Sequence, residues 1–224
     1  MNLSDLKPAS LYANMSGVKS LIYGPPGSGK TPTFNSAPRP LLLACEPGML
    51  SMKGSTVPTY QAHTSEAVKE FFKWFFNSSE TKNFDTIGVD SVSQMCDIFL
   101  QQALKTNKHG LQAYGEMAEE VMDILRPLFF MKQKHCYLIA KQTLNRENGI
   151  DVKFPYFPGK QLPTEIPHLY DMILHLGIHN VPGMGQVRSF QCSQSIDTLA
   201  RDRSGKLNEY EPPDFNVIVG KAMG

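Results

Sequence analysis

Apolar residues along the chain fall into short runs bounded by turn residues, and between the runs into stripes of helical spacing. Residues 18–23, 41–45, 84–90 and 135–141 are runs of the length and composition of strands buried on both faces. Residues 59–62 and 170–178 read as further strands. Val68, Phe71, Phe72, Phe75 and Phe76 form one apolar stripe, which predicts a helix over 65–76 with Ser65 as its N-cap. Residues 90–104 and 111–134 read as two more helices, joined by a basic loop over 105–110. A short helix follows residue 29. Pro32 suits its first turn, and Pro38 and Pro40 close it off.

The remainder is less regular. Residues 144–163 carry no sustained period and read as a long loop, a length that usually signals function or motion. Residues 187–192, 198–203 and 215–219 read as strands, with Ser204-Gly205-Lys206 as a hairpin turn after Arg203. Residues 1–17 are expected to be a polar, irregular arm, and 18–224 one domain. Short buried strands alternating with helices predict an α/β fold, with a mainly parallel central sheet flanked by helices and a β-rich C-terminal part.

Composition narrows the function classes. The 224 residues are 41% hydrophobic and 19% charged, enough for a sizeable core. A net charge of +1 gives no global attraction to nucleic acid, so any DNA contact must come from local clusters. Cys45, Cys96, Cys136 and Cys192 are widely spaced with no C-x-x-C pair, as expected for reduced, buried thiols in the cytoplasm. No apolar run reaches membrane-spanning length, and no leader segment is recognised, so no membrane association is expected.

The chemistry centres on Gly24-Pro25-Pro26-Gly27-Ser28-Gly29-Lys30-Thr31, which fits G-x-x-x-x-G-K-[ST], the phosphate-binding loop of nucleoside triphosphatases. Glycines allow consecutive backbone N–H groups to turn inward around an anion. Lys30 can reach the β- and γ-phosphates of ATP, and the Thr31 hydroxyl can ligate Mg²⁺. Residues 84–90 form an apolar strand ending in Asp90, the second acidic element such a loop requires, where the carboxylate holds Mg²⁺ through a water. Ser91 follows, in place of the Glu found there in many AAA+ ATPases. Glu46 ends another core strand, on the edge where α/β sheets bind ligands. It either caps a turn or serves as a base. His175 and His179 lie four apart with no acidic or cysteine partner nearby, a pattern of structural histidines rather than a zinc site.

These motifs in this order resemble the RecA-like P-loop NTPase core. More closely, the chain is similar to the small phage RecA-like single-strand annealing ATPases, the fourth of the Sak groups. The matching stretches are 24–31, Ala44-Cys45-Glu46-Pro47-Gly48, Gly88-Val89-Asp90-Ser91, Phe157-Pro158-Gly159-Lys160-Gln161-Leu162-Pro163 and Ala200-Arg201-Asp202-Arg203-Ser204-Gly205.

The resemblance implies a DNA-stimulated ATPase using ATP and Mg²⁺. Glu46 would be its catalytic base, and Gln142 a sensor of the γ-phosphate. Arg201 and Arg203 would reach the ATP of a neighbouring subunit, so the partners implied are a homo-oligomer, ring or filament, and single-stranded DNA. A single-strand-binding protein is a further possible partner. Residues 144–163 would be a DNA-binding loop. Cations with interleaved aromatics suit single strands, which makes Arg146, Lys153, Tyr156, Phe157 and Lys160 candidates, with Lys105, Lys108 and His109 beside Tyr114 as a second set. The location implied is the cytoplasm of a phage-infected cell. The alternatives on sequence are a P-loop phosphotransferase, an AAA+-like helicase-loading ATPase, and a module that uses ATP only as an assembly switch.

Overall fold

A computed structural model describes residues 2–107 and 109–224. Helix α1 (Ala9–Met15) precedes strand β1 (Lys19–Gly24), every residue of which is buried. There follow α2 (Lys30–Thr33), β2 (Pro40–Ala44), β3 (Thr59–Gln61), α3 (Ser65–Asn77), β4 (Thr86–Asp90), α4 (Val92–Thr106) and α5 (Gly110–Phe130). The second half comprises β5 (His135–Glu147), β6 (Ile150–Pro155), α6 (Leu162–Leu169), β7 (Met172–Val181), β8 (Gly185–Gln191), β9 (Arg201–Asp202), β10 (Tyr210–Glu211) and α7 (Phe215–Met223). None of the described helices is long and apolar enough to cross a membrane.

Among the described residues the strands form one ten-stranded sheet, eight of them in the order β10-β8-β7-β1-β5-β4-β2-β3, with β6 paired to β5 and β9 to β7 off that path. From β7 to β3 every neighbouring pair is parallel. Strand β5 therefore lies between β1, which leads into the phosphate-loop motif, and β4, which ends in Asp90. Parallel pairing carries the C-terminal ends of β1, β2 and β4 to one edge of the sheet. Glu46 follows β2 there, and β5 crosses the same edge at Gln142. The expected α/β class, a mainly parallel sheet between helices, is the one observed.

Strand pleating sorts the core into two faces. Leu21 and Tyr23 of β1 pack in one cluster with Phe71, Phe72, Phe75, Phe99, Val121 and Leu125 of α3, α4 and α5. Ile22 packs on the other face with Phe34, Tyr137, Phe215 and Ile218. On that face α7 and the 3-10 turn at Phe34 supply the packing. Phe34 and Phe215 both pack on Tyr137, with ring centroids at 5.2 and 4.8 Å. Gly88 makes room for this, since a Cβ there would lie 2.6 Å from Phe34 Cζ.

Several local expectations are corrected. The N-cap of α3 is Thr64, whose hydroxyl accepts from Ala67 N at 3.2 Å, one residue before Ser65. Residues 215–219 are helical: Asp214 caps Asn216 and Val217, and Phe215, Ile218 and Val219 have the spacing that buries one helix face. Lys105 belongs to the last turn of α4, so the described residues between α4 and α5 are Asn107 and His109. Residues 144–163 are not a loop. Strand β5 runs on past Gln142 to Glu147 and pairs antiparallel with β6, and α6 starts at Leu162. Of 198–203 only Arg201–Asp202 is strand, and it pairs with β7. Residues 204–206 make no β-hairpin: the Asp202 carboxylate accepts from Ser204 N, Lys206 N and Leu207 N and shapes the turn. The N-terminal segment holds a 3-10 turn and α1 where an irregular arm was expected.

Candidate nucleotide site

The segment between β1 and α2 is built to keep its backbone close to a ligand. Gly27 (φ 75°) and Gly29 (φ 94°) lie in the left-handed region, where a side chain is strained. Gly29 caps α2, and Thr33 N and Oγ1 both donate to its carbonyl. At Gly24 a Cβ would lie 2.1 Å from Leu176 O, which forces glycine where β1 meets β7.

Three strand ends converge on this loop. Ala44 is level with Asp90 in the β2–β4 register, and the Asp90 carbonyl accepts from Cys45 N at 2.6 Å and Glu46 N at 3.2 Å. That pair of bonds seats Glu46 beside Asp90. The Asp90–Ser91 peptide is cis. Ser91 Oγ donates to Glu46 Oε1 at 2.6 Å and accepts from Gln94 N at 3.1 Å, so it joins the Glu46 carboxylate to the start of α4. Thr31 Oγ1 donates to Asp90 Oδ2. Lys30 Nζ donates to the carbonyls of Gly24 (2.8 Å) and Pro25 (3.0 Å).

Together these groups wall a cavity of about 680 Å³, lined by Gly24, Pro26, Gly27, Gly29, Lys30, Thr31, Glu46, Asp90, Ser91, Lys141, Gln142 and Arg188 among others. Burial dominates its electrostatics. It pushes the Asp90 carboxyl up to about 6; the nearby Glu46 charge adds to the rise, and the Thr31 hydrogen bond and Lys30 oppose it. Burial also lowers the Lys30 ammonium, against the pull of Asp90 and Glu46.

The residues fit a phosphate with a divalent cation. Ser28 Oγ is buried with no hydrogen-bond partner, an orphaned donor in the middle of the motif. Among the described residues the Lys30 ammonium bonds only carbonyls of its own loop. Thr31 and Asp90, the pair suited to Mg²⁺, hold each other. Lys30 and Thr31, together with Ser28, would hold phosphate, and Thr31 with Asp90 the cation.

Two cavity residues were not singled out from sequence. Lys141 is engaged by Gln94 Oε1 (2.8 Å) and Asp97 Oδ2 (3.4 Å). Arg188 stands over the phosphate loop, its Nη1 3.3 Å from where a Cβ of Gly29 would be. It is exposed, and no side-chain hydrogen bond or ion pair engages it among the described residues. Its strand alternates weakly, and nothing local marks it. The β7–β8 hairpin extends beyond the end of β1, and Arg188 faces Ile178 in that extension.

Other predicted residues lie elsewhere. Gln142 reaches the cavity, and its Oε1 is 2.9 Å from His175 Nε2. Arg201 is level with Ile173, near the start of β7 and away from the phosphate edge. Its guanidinium donates to the carbonyls of Pro167 and Tyr170 at the end of α6. Arg203 donates to His168 O at 3.0 Å and pairs with Asp171 at 3.6 Å. Both arginines are thus engaged within the chain.

The DNA candidates separate. Phe157 is 3% exposed and belongs to the core, which removes it as a base-stacking surface. Lys153 is tied to Asp197 at 2.7 Å. Arg146, Tyr156, Lys160 and Lys105 are exposed, and Lys108 lies outside the described residues. All four cysteines are free and buried.

No curated protein matches the chain. Among solved structures, a KaiC-like protein of the hyperthermophilic archaeon Pyrococcus horikoshii OT3 is similar with a TM-score of 0.44 at 12% identity, over 88% of this chain and 82% of that one. The family model described as AAA domain matches residues 16–204, with the phosphate-loop motif and Asp90 inside the match. The chain belongs to the AAA domain family and is a P-loop NTPase.

Proposed function

We propose that the protein is an ATPase that holds ATP and Mg²⁺ in the cavity between β1, β2, β4 and β5, and couples their binding to single-stranded DNA. One observation carries the ATPase reading. Lys30 with Thr31, Glu46, Asp90 and Gln142 come from four separate stretches of chain, and all line one cavity. Bound Mg²⁺ would supply neutralisation of phosphate charge. Lys30 contributes a second cation close to Asp90 and Glu46. Arg188 adds a third beside Gly29. Glu46, oriented by Ser91, is the carboxylate able to direct a water and take its proton.

The coupling to DNA follows β5. This strand runs from Gln142, at the cavity, to Arg146, near the exposed end of the β5–β6 hairpin, a distance of roughly 13 Å for an extended chain. Arg146 with Tyr156 and Lys160 offers backbone neutralisation and a ring for stacking. The resemblance to phage annealing ATPases supports a role in single-strand annealing by a homo-oligomer, with a single-strand-binding protein as a further partner.

Phosphate release measured with and without a single-stranded oligonucleotide tests this. DNA should raise the rate, and binding should weaken with salt with a log–log slope of about −0.7 per phosphate contacted. Arg146→Ala combined with Lys160→Ala should flatten that slope. An oligonucleotide that neither binds nor alters hydrolysis would leave an ATPase without the DNA role. Phosphate transfer to a nucleoside would replace the reading with a phosphotransferase.

A further inference from the structure

His175 and His179 carry no role in the site described so far, yet they connect two parts of it. On β7 they share a face, with Gly177 between them. His175 Nδ1 lies 2.9 Å from His179 Nε2. His175 Nε2 lies 2.9 Å from Gln142 Oε1, and His179 Nδ1 lies 2.8 Å from Ser189 Oγ. Gly177 is what allows the rings to meet, because a Cβ there would lie 2.9 Å from His175 Cε1 and 3.6 Å from His179 Cε1. The chain of bonds leaves the cavity at Gln142 and ends at Ser189, next in sequence to Arg188, which also lines the cavity.

Such a chain has a direction. A neutral imidazole has one N–H and one acceptor nitrogen. Burial and nearby cations keep both rings neutral, with His175 lowered to about 3 and His179 lowered as well. Fixing one bond therefore fixes the rest. In one pattern the Ser189 hydroxyl donates to His179 Nδ1, His179 Nε2–H donates to His175 Nδ1, and His175 Nε2–H donates to Gln142 Oε1. The amide N–H groups of Gln142 are then left to face the cavity. In the reverse pattern every bond changes direction and the amide oxygen faces the cavity. Each pattern satisfies every group in the chain, and mixed patterns leave a donor facing a donor or an acceptor facing an acceptor.

We infer that His175 and His179 are positioning residues, which set the end of the Gln142 amide presented to phosphate and tie that choice to the strand carrying Arg188. The inference rests on the cavity being a nucleotide site. An anion in the cavity selects the N–H end of the amide and hence the Nε2–H tautomer of both rings. The hydrogen-bonded pair thus acts as a two-state element biased by what the cavity holds.

Nitrogen NMR of histidine-labelled protein reads the tautomers directly. With a non-hydrolysable ATP analogue, both rings should be Nε2–H. Gln142→Leu and His179→Phe should each lower the preference for the triphosphate analogue over ADP by about tenfold, the size of one hydrogen bond to a charged group. The double variant should lose no more than either alone, because both act through one chain. His179→Gln, which keeps a donor and an acceptor, should restore part of the preference. Nδ1–H rings in the loaded protein, an unchanged preference in His179→Phe, or losses that multiply in the double variant would overturn the inference. Lys30→Ala is the control for its foundation: if that variant binds nucleotide as the parent does, the nucleotide site itself falls, and the relay with it.

Discussion

Thr31 Oγ1 and Asp90 Oδ2 are joined by a hydrogen bond of 2.5 Å, so the two oxygens suited to a cation hold each other across the phosphate loop. Asp90 is only 6% exposed, and its ionised form is disfavoured there. Asp90→Asn removes that buried charge and keeps an acceptor for Thr31. The nucleotide-free variant should melt no lower than the parent at pH 8. Saturating ATP with Mg²⁺ should stabilise the parent by about 2.7 kcal/mol at a hundredfold excess over Kd, and this gain should vanish in Asp90→Asn and in Lys30→Ala. Thermal melting with and without nucleotide checks both; a full shift in Asp90→Asn would remove Asp90 from the cation site.

Glu46 and Ser91 can be separated by experiment. Glu46→Gln keeps the shape and the bond to Ser91 but loses basicity. Hydrolysis should fall by about 10²–10⁴-fold while ATP affinity holds. Ser91→Ala releases the carboxylate and also uncaps α4, so a stability loss of about 1 kcal/mol should accompany its slower turnover. Equal rates for Glu46→Gln and the parent would mean that Glu46 only shapes the turn after β2.

Arg188 and Arg201 should behave oppositely. The Arg188 side chain is exposed, so Arg188→Ala should leave melting unchanged and weaken ATP relative to ADP by about tenfold, or 1.4 kcal/mol. Arg201 holds two carbonyls at the end of α6. Arg201→Ala should destabilise the fold by about 1–3 kcal/mol through those carbonyls. Equilibrium titration of both nucleotides, alongside urea melts, distinguishes the two effects.

Acid should loosen the fold through its histidines. The folded-state value of His175 lies near 3, below an unfolded value of about 6.5. Its contribution is therefore complete above pH 6.5 and is lost as pH falls from 6.5 toward 3, because the unfolded chain takes up a proton that the folded chain refuses. His179 and His135 are lowered too and act with the same sign, whereas Asp90, raised to about 6, acts against them. Urea midpoints at pH 7.5, 6.5 and 5.5 should fall in that order for the parent, and less steeply for His175→Gln. An equal or steeper fall in His175→Gln would show that His175 does not carry the pH dependence.

The loop from Gly24 to Thr31, the strand ending in Asp90 and the acid after β2 were legible because each is a local pattern whose mechanism is contained in a few consecutive residues. The α/β class was legible for the same reason, since buried parallel strands are short apolar runs. Residues 215–219 were not. Their β-branched composition favours a strand, and what makes them helical is the Asp214 cap and the uncovered face around Tyr137 that Phe215 and Ile218 fill. In sequence the β5–β6 hairpin resembles a loop because its exposed residues have no core to impose alternation, and Phe157 resembles a platform because its burial depends on the helices above it.

The sequence alone determined the chemistry that could occur: an anion-binding loop, a cation-holding acid and a second carboxylate on strands bound for one edge. Tertiary structure decided which distant groups join them. Arg188 reaches Gly29 only because β7 and β8 outrun β1, and His175 meets His179 only because Gly177 leaves the space. Those relations depend on register and on backbone approach between segments far apart in the chain, and no local pattern encodes either.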